Sequence, residues 1–164
     1  MKSKSMPSLM INHFTRTLRN MIGVDPKGPE IKDVHPSLSS SAQLLSLGSV
    51  LFNDAVEVSL IKHKKQISDN NNQIIVKRIS ECAIDLFSMA AVLSRASRSL
   101  SQSSITSEHE RDIAQTWCHD AIRRIRTNVQ EVLNPSLTSD RSYDTIATNV
   151  LDNEGYKARH ILDN

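Results

Sequence analysis

Glycine and proline are scarce in this chain. Four glycines and five prolines occur in 164 residues, and the stretch from Gly23 to Pro36 holds five of those nine. A sheet protein must turn often, so the scarcity favours helices. Aromatic residues make up only 4%, which leaves an aliphatic core. No apolar run approaches the roughly 20 residues that a membrane span needs. The formal charge of +2 is too small to argue for nucleic acid by itself, and no nucleic-acid partner is expected. Cys82 and Cys118 stand alone in apolar surroundings with no CxxC. They read as buried free thiols in a reducing compartment rather than as a disulfide or metal pair.

Motifs that carry chemistry are missing too. There is no GxGxxG and no Walker sequence to cradle a phosphate. His109, Glu110 and His119 do not form HExxH, and His63 has no partner at metal-ligand spacing, so no metal is assigned. No serine or cysteine nucleophile has a companion set. No residue is assigned a catalytic, cofactor-binding or metal role.

What is present is helical periodicity. Acids are absent before Asp25, while Lys2, Lys4, Arg16 and Arg19 precede it. In that segment Met10, Phe14, Leu18 and Met21 recur at helical spacing, with Ile11 and Ile22 beside them and His13, Thr17 and Asn20 facing away. This is a short basic amphipathic helix. A proline-rich linker over 23–36 follows, since each proline removes an amide donor and biases its predecessor away from the helix. A first long pattern covers about 38–67, with Leu44, Leu47, Leu51, Ala55 and Val58 on one stripe, widened by Leu38, Ala42, Leu45, Phe52 and Val56. "SDNNNQ" breaks it. A second and most regular pattern runs Ile75, Ile79, Cys82, Leu86, Met89, Leu93, Ala96 and Leu100. Ala83, Phe87 and Ala90 add another apolar face, so the middle of this helix is expected to be covered on most sides. A third begins at Ser107, where Ser107-x-x-Glu110 has the form of a capping box. It carries Ala114, Cys118, Ala121, Ile125, Val129 and Val132 on one face and stops at Pro135. A shorter helix spans about 140–152, with Tyr143, Ile146, Ala147, Val150 and Leu151.

The expected fold is all-α: an antiparallel bundle of three long helices plus a shorter C-terminal helix, preceded by the amphipathic one. The organisation is 1–36 as basic amphipathic segment and linker, 37–152 as bundle, and 153–164 as a loose tail.

Two basic stretches invite a functional reading. "SMAAVLSRASRSLS", residues 88–101, has Arg-x-x-Ser patterns that fit a basophilic kinase. Ala96 and Leu100 nevertheless continue the stripe, so by periodicity it is the end of a core helix, with Arg95 and Arg98 on its flank ready to pair with acids or the last carbonyls. Lys62, His63, Lys64 and Lys65 form a basic patch that could meet acidic lipid or a phosphate. The plainer reading is cations at a helix C-terminus, where the macrodipole favours them.

At "DVHPSL", "SLIKHKK", "AIDLFSMAAVLSRASRSLS" and "HERDIAQTWCHDA" the sequence resembles the C-terminal domain of the mitochondrial very-long-chain acyl-CoA dehydrogenase family. A relative active in respiratory complex I assembly is the next closest. The match runs from about Leu9 to Val132; "YKARHILDN" at the end departs from it. The resemblance implies a parent enzyme that is an FAD-dependent homodimer on the matrix face of the inner mitochondrial membrane, acting on long acyl-CoA esters in fatty-acid β-oxidation. Its catalytic glutamate lies in an F-E-G-T segment that this chain lacks, and the FAD and acyl-CoA domains precede the matched region. The chain alone is thus expected to hold no cofactor and to be inactive. It is either a fragment, consistent with the poor match before residue 8, or a separate protein that kept the accessory domain. The remainder of the dehydrogenase chain is the expected partner, with a second copy and a peripheral membrane contact.

The resemblance also gives Leu9–Ile22 a membrane role. Met10, Ile11, Phe14, Leu18, Met21 and Ile22 are the candidates to enter the acyl boundary, with Arg16 and Arg19 at anionic headgroups. A helix packed on its own bundle and a transit peptide are the other readings. The alternative for the whole domain is a protein-interaction module of the complex I assembly type.

Overall fold

The computed structural model describes residues 28–64 and 72–156. Four α-helices appear among them: α1 (Ser39–His63), α2 (Gln73–Ser101), α3 (Ser107–Leu133) and α4 (Asp140–Asp152). No strand occurs in the described residues. The first three helices form the bundle, and α2 and α3 share its most extensive interface. Cross-links between helix ends set the directions. Lys62 Nζ at the end of α1 donates to the Leu133 carbonyl at the end of α3, 3.3 Å away. Arg78, early in α2, binds Glu131, late in α3. So α1 and α3 run parallel, with α2 antiparallel to both.

The expected stripes meet in the core. Cys82, Met89, Leu93 and Ala96 of α2 pack with Ala114, Cys118, Ala121, Ile125 and Val129 of α3, and Leu45 and Ala55 of α1 close the third side. Burying each of the larger aliphatic side chains among them, such as Met89, Leu93 or Ile125, contributes about 1.5–3 kcal/mol. At Gly48 side chains of both other long helices press on α1: a Cβ there would stand 2.9 Å from Leu86 Cδ2 and 3.3 Å from Ile125 Cδ1. A mid-helix glycine costs roughly 0.5–1 kcal/mol against alanine, and this close approach is its use.

The segment before α1 ends in a 3-10 turn, Pro36–Leu38, and is not detached. The Ser46 hydroxyl donates to the Pro29 carbonyl at 2.6 Å, the His35 amide donates to Ser97 Oγ at 2.8 Å, and Ile31 and Val34 pack on the core. At Gly28 a Cβ would fall 2.4 Å from the Ser46 carbonyl oxygen, so only glycine allows this approach.

Several expectations need correction. The second apolar face of α2 is not covered: Ala83 and Ala90 are exposed, and Phe87 is 77% exposed. In a three-helix bundle α2 has two neighbours, and its third side has none among the described residues. The capping box does not form either. Ser107 already lies within α3 and Thr106 is the N-cap. The Glu110 carboxylate accepts from the Thr106 hydroxyl at 3.1 Å and from Arg95 Nε at 3.2 Å, so its partners lie upstream and on α2 rather than at the Ser107 amide. Finally, α1 is long and apolar enough to cross a membrane by length and composition. Serines interrupt its apolar residues without adding charge, which hides this in a search for unbroken runs. Its positions in the core lie against α2 and α3, the packing of a core helix.

The end of α2 has no glycine or proline. Ser103 supplies the left-handed residue instead, at φ 51°, and the Ser104 amide donates back to the Ser99 carbonyl at 3.1 Å. This is the Schellman arrangement on a serine. The sequence extends the α2 stripe to Leu100, and the structure ends the helix one residue later.

Candidate functional site

The membrane-interface candidates Met10, Ile11, Phe14, Arg16, Leu18, Arg19, Met21 and Ile22 lie outside the described residues, as does Lys65. The rest of the basic patch lies at the C-terminal end of α1. Lys62 and His63 occupy the last turn of α1, Lys62 reaches the last carbonyl of α3, and Lys64 turns the chain at φ 48°. The Lys62 ammonium sits where two parallel helix C-termini concentrate negative partial charge.

Arg95 pairs with Glu110 across the α2–α3 interface, and the Arg95 guanidinium holds the Glu110 carboxyl below the usual carboxylate range. Arg98 is exposed on the flank, as expected. Ser97 and Ser99 of the kinase-like stretch are buried, whereas Ser94 and Ser101 are exposed.

The chemistry of the cysteines is muted. Both thiols are buried and free. Burial, with Asp85 and Glu81 nearby, pushes Cys82 up to about 11; burial alone pushes Cys118 up to about 11. A thiol protonated at neutral pH is a poor nucleophile and a poor metal ligand.

Two ionic constellations were not singled out by periodicity. In one, Arg78 of α2 donates from Nε to Glu131 at 2.7 Å and from both terminal nitrogens to Asp140, at 2.5 and 3.0 Å. This anchors the first residue of α4, a helix with no buried residue of its own. In the other, Arg124 of α3 grips Asp85 of α2 and lies over the Trp117 ring. A charge at position 85, between Cys82 and Met89 of the α2 stripe, was the available sign of a buried pair.

Two open hollows lie where α2 and α3 meet near their connecting loop. One, of about 380 Å³, is floored by Val92, Ala96 and Ile113 and rimmed by Arg95, His109 and Glu110. The other brings Ser94, Arg98, Ser99 and Gln102 to the same Arg95–Glu110 pair. Neither hollow presents the glycine-rich turn at a helix N-terminus that is one common cradle for a dinucleotide pyrophosphate; the described glycines, 28, 48 and 155, do not line them. No step through FAD is derived for this chain.

Comparison with known proteins matches residues 36–156 to the family model described as "ACAD9/ACADV, C-terminal domain". The chain is similar to the very long-chain specific acyl-CoA dehydrogenase, mitochondrial, of Rattus norvegicus. That pair is 36% identical over 149 residues, covering 90% of this chain and 22% of the relative. The protein of the same name from Macaca fascicularis is 48% identical over 118 residues, covering 72% of this chain and 18% of the relative. That from Homo sapiens is 48% identical over 93 residues, 57% and 14% respectively. The chain therefore spans about a fifth of the length of the curated relatives it matches. An all-helical bundle, buried stripes in register with the quoted motifs, and a family match over most of the chain agree, and the chain belongs to the ACAD9/ACADV C-terminal domain family.

Proposed function

We propose that this chain acts as the non-catalytic C-terminal helical domain of a very-long-chain acyl-CoA dehydrogenase at the matrix face of the inner mitochondrial membrane. Its tasks are attachment to that membrane and a contact between copies. The parent activity is FAD-dependent α,β-dehydrogenation of long acyl-CoA esters. The flavin supplies hydride acceptance there, outside this chain. The observation that carries the reading is the match over 36–156 to a domain that makes up only a fifth of relatives named for that activity. The basic, acid-free stripe of Leu9–Ile22 supports the membrane role. Apolar insertion and headgroup attraction are separable there, each basic residue near anionic lipid contributing about 1 kcal/mol.

Co-sedimentation with cardiolipin-containing vesicles tests it. Wild type is expected in the pellet. Phe14→Ser with Leu18→Ser abolishes binding at any ionic strength, while Arg16→Gln with Arg19→Gln weakens it most at low salt, where screening is least. Wild type left in the supernatant overturns the membrane role. The purified chain is also expected to hold no FAD and to reduce no electron acceptor with palmitoyl-CoA.

A second reading, an interaction module of the complex I assembly kind, rests on the resemblance to the assembly-active relative; the matched model describes ACAD9 and ACADV together. Recovery of assembly factors in stoichiometric amount from a mitochondrial pulldown would select it.

A further inference from the structure

Part of α1 is buried on the side turned away from α2 and α3. Side chains of both those helices press on Gly48. Counted from there at about 100° per residue, Leu47, Val50, Asp54 and Glu57 are turned away by roughly 100–180°, to one side. Leu47 is nevertheless only 8% and Asp54 only 9% exposed, and Val50 and Glu57 are half-buried. Gln43 and Ile61 share that bearing one turn beyond at either end, and both are exposed. The cover therefore ends within about 27 Å of α1, at 1.5 Å per residue. It also meets charge. A carboxylate as deep as that of Asp54 needs a cation or hydrogen-bond donors against it, and neither Asp54 nor Glu57 is without a partner.

We propose that residues 9–22 are this cover, packed along α1 as an antiparallel helix, and that an anionic bilayer competes with α1 for them. The described chain begins at Gly28, whose neighbour is Ser46, next to Leu47 and about 160° from Gly48. Residues 23–27 reach at most about 18 Å, so Ile22 stays near the Leu47 end and the segment runs back along α1. Its fourteen residues make about 21 Å of helix, within the covered length. The stripe of Met10, Phe14, Leu18 and Met21 is apolar, as Leu47 and Val50 require, and Arg16 comes about level with Asp54. No acid precedes Asp25, so nothing in the segment repels the two carboxylates. A bilayer offers the same two attractions, apolar insertion and negative charge. One stripe cannot serve both at once. The cover is independent of the membrane role proposed above; the competition rests on it.

The test is the modification rate of single introduced cysteines by a water-soluble maleimide in the full 164-residue chain. Cys82 and Cys118 are buried, and their staying unreactive in each variant reports an intact bundle. Val50→Cys is expected to react at least about tenfold more slowly than Ile61→Cys, whatever the protein concentration. Phe14→Ser with Leu18→Ser raises the Val50→Cys rate about tenfold and leaves that of Ile61→Cys unchanged. Arg16→Glu, which keeps the apolar stripe, raises it less and decides the test if the serine pair unfolds the bundle. Cardiolipin-containing vesicles raise it too, in step with the fraction of chain that pellets. A Val50→Cys rate that neither variant changes overturns the cover. Protection lost on dilution assigns the cover to a second copy and overturns it as well. Chain that pellets while Val50→Cys stays slow overturns the competition. Chain that stays in the supernatant, with Val50→Cys slow until the serine pair is introduced, ends the membrane role and supports the cover.

Discussion

Arg124 holds Asp85 by two hydrogen bonds, Nη2 to Oδ1 at 2.6 Å and Nε to Oδ2 at 3.1 Å, while its guanidinium lies 5.2 Å from the centroid of the Trp117 ring. Asp85 is 7% exposed and sits among the core residues of α2. The planar fork satisfies both carboxylate oxygens at once, and the ring braces the fork from outside. The pair fixes the rotation of α3 against α2 at mid-length.

Removing one partner should therefore cost more than the pair itself contributes. Arg124→Ala leaves Asp85 buried without its counter-ion. The expected loss is about 2 kcal/mol, below the ~3–5 kcal/mol of a fully buried pair because Arg124 is half-exposed. Arg124→Lys should recover only part of it, lacking the fork. Urea melts of both variants and of Asp85→Leu with Arg124→Leu check this; a double variant less stable than Arg124→Ala would contradict it.

The attachment of α4 should depend on pH in the acid range. The Arg78 guanidinium holds the Asp140 carboxyl below its usual value. A depressed folded value means the contribution is fully present above the unfolded carboxyl value of about 3.9. It is lost as pH falls through the folded value below that. Protection of the α4 amides, measured against their intrinsic exchange rates, should fall below about pH 4, and Asp140→Asn should show low protection already at pH 6, with little further change on acidification.

At the end of α2, Ser103 adopts a left-handed conformation that favours glycine. Ser103→Gly relieves that strain and keeps the Schellman bonds, at some cost in unfolded-state entropy. A gain of about 0.5 kcal/mol is expected, read as a higher urea midpoint at unchanged slope. Ser103→Val, β-branched at the same φ, should lower it.

The core stripe gives the largest effect. Leu93 is 2% exposed, and Leu93→Asp would bury an unpaired carboxylate, with a loss of several kcal/mol against a total stability of about 5–15 kcal/mol. Arg98→Ala on the exposed flank should stay within about 0.5 kcal/mol. Equal melting temperatures for the two would mean that the stripe faces solvent.

Periodicity reached the helices and their inward faces because both are local properties. A four-and-three spacing of apolar residues places them on one side of a helix whatever the helix packs against, so Cys82, Met89, Leu93, Cys118 and Ile125 were legible as core. The quoted motifs carried the family in the same way, as strings with fixed spacing. What each helix faces is not local. Phe87 and Ala90 are as apolar as their buried neighbours, and the placing of α1 and α3 on the other sides of α2 leaves them exposed among the described residues. Glu110 stood at capping-box spacing, but Arg95, fifteen residues away in sequence, drew its carboxylate elsewhere. Asp85 with Arg124, and Arg78 with Asp140, were individually unremarkable charges. They became ion pairs because antiparallel packing brought α2 against α3, and the start of α2 against the turn that leads from α3 into α4, across 39 and 62 residues of chain. Residue type and spacing determine which side of a helix seeks burial; the tertiary structure decides which burial it finds, because the partner for each side comes from a distant part of the chain.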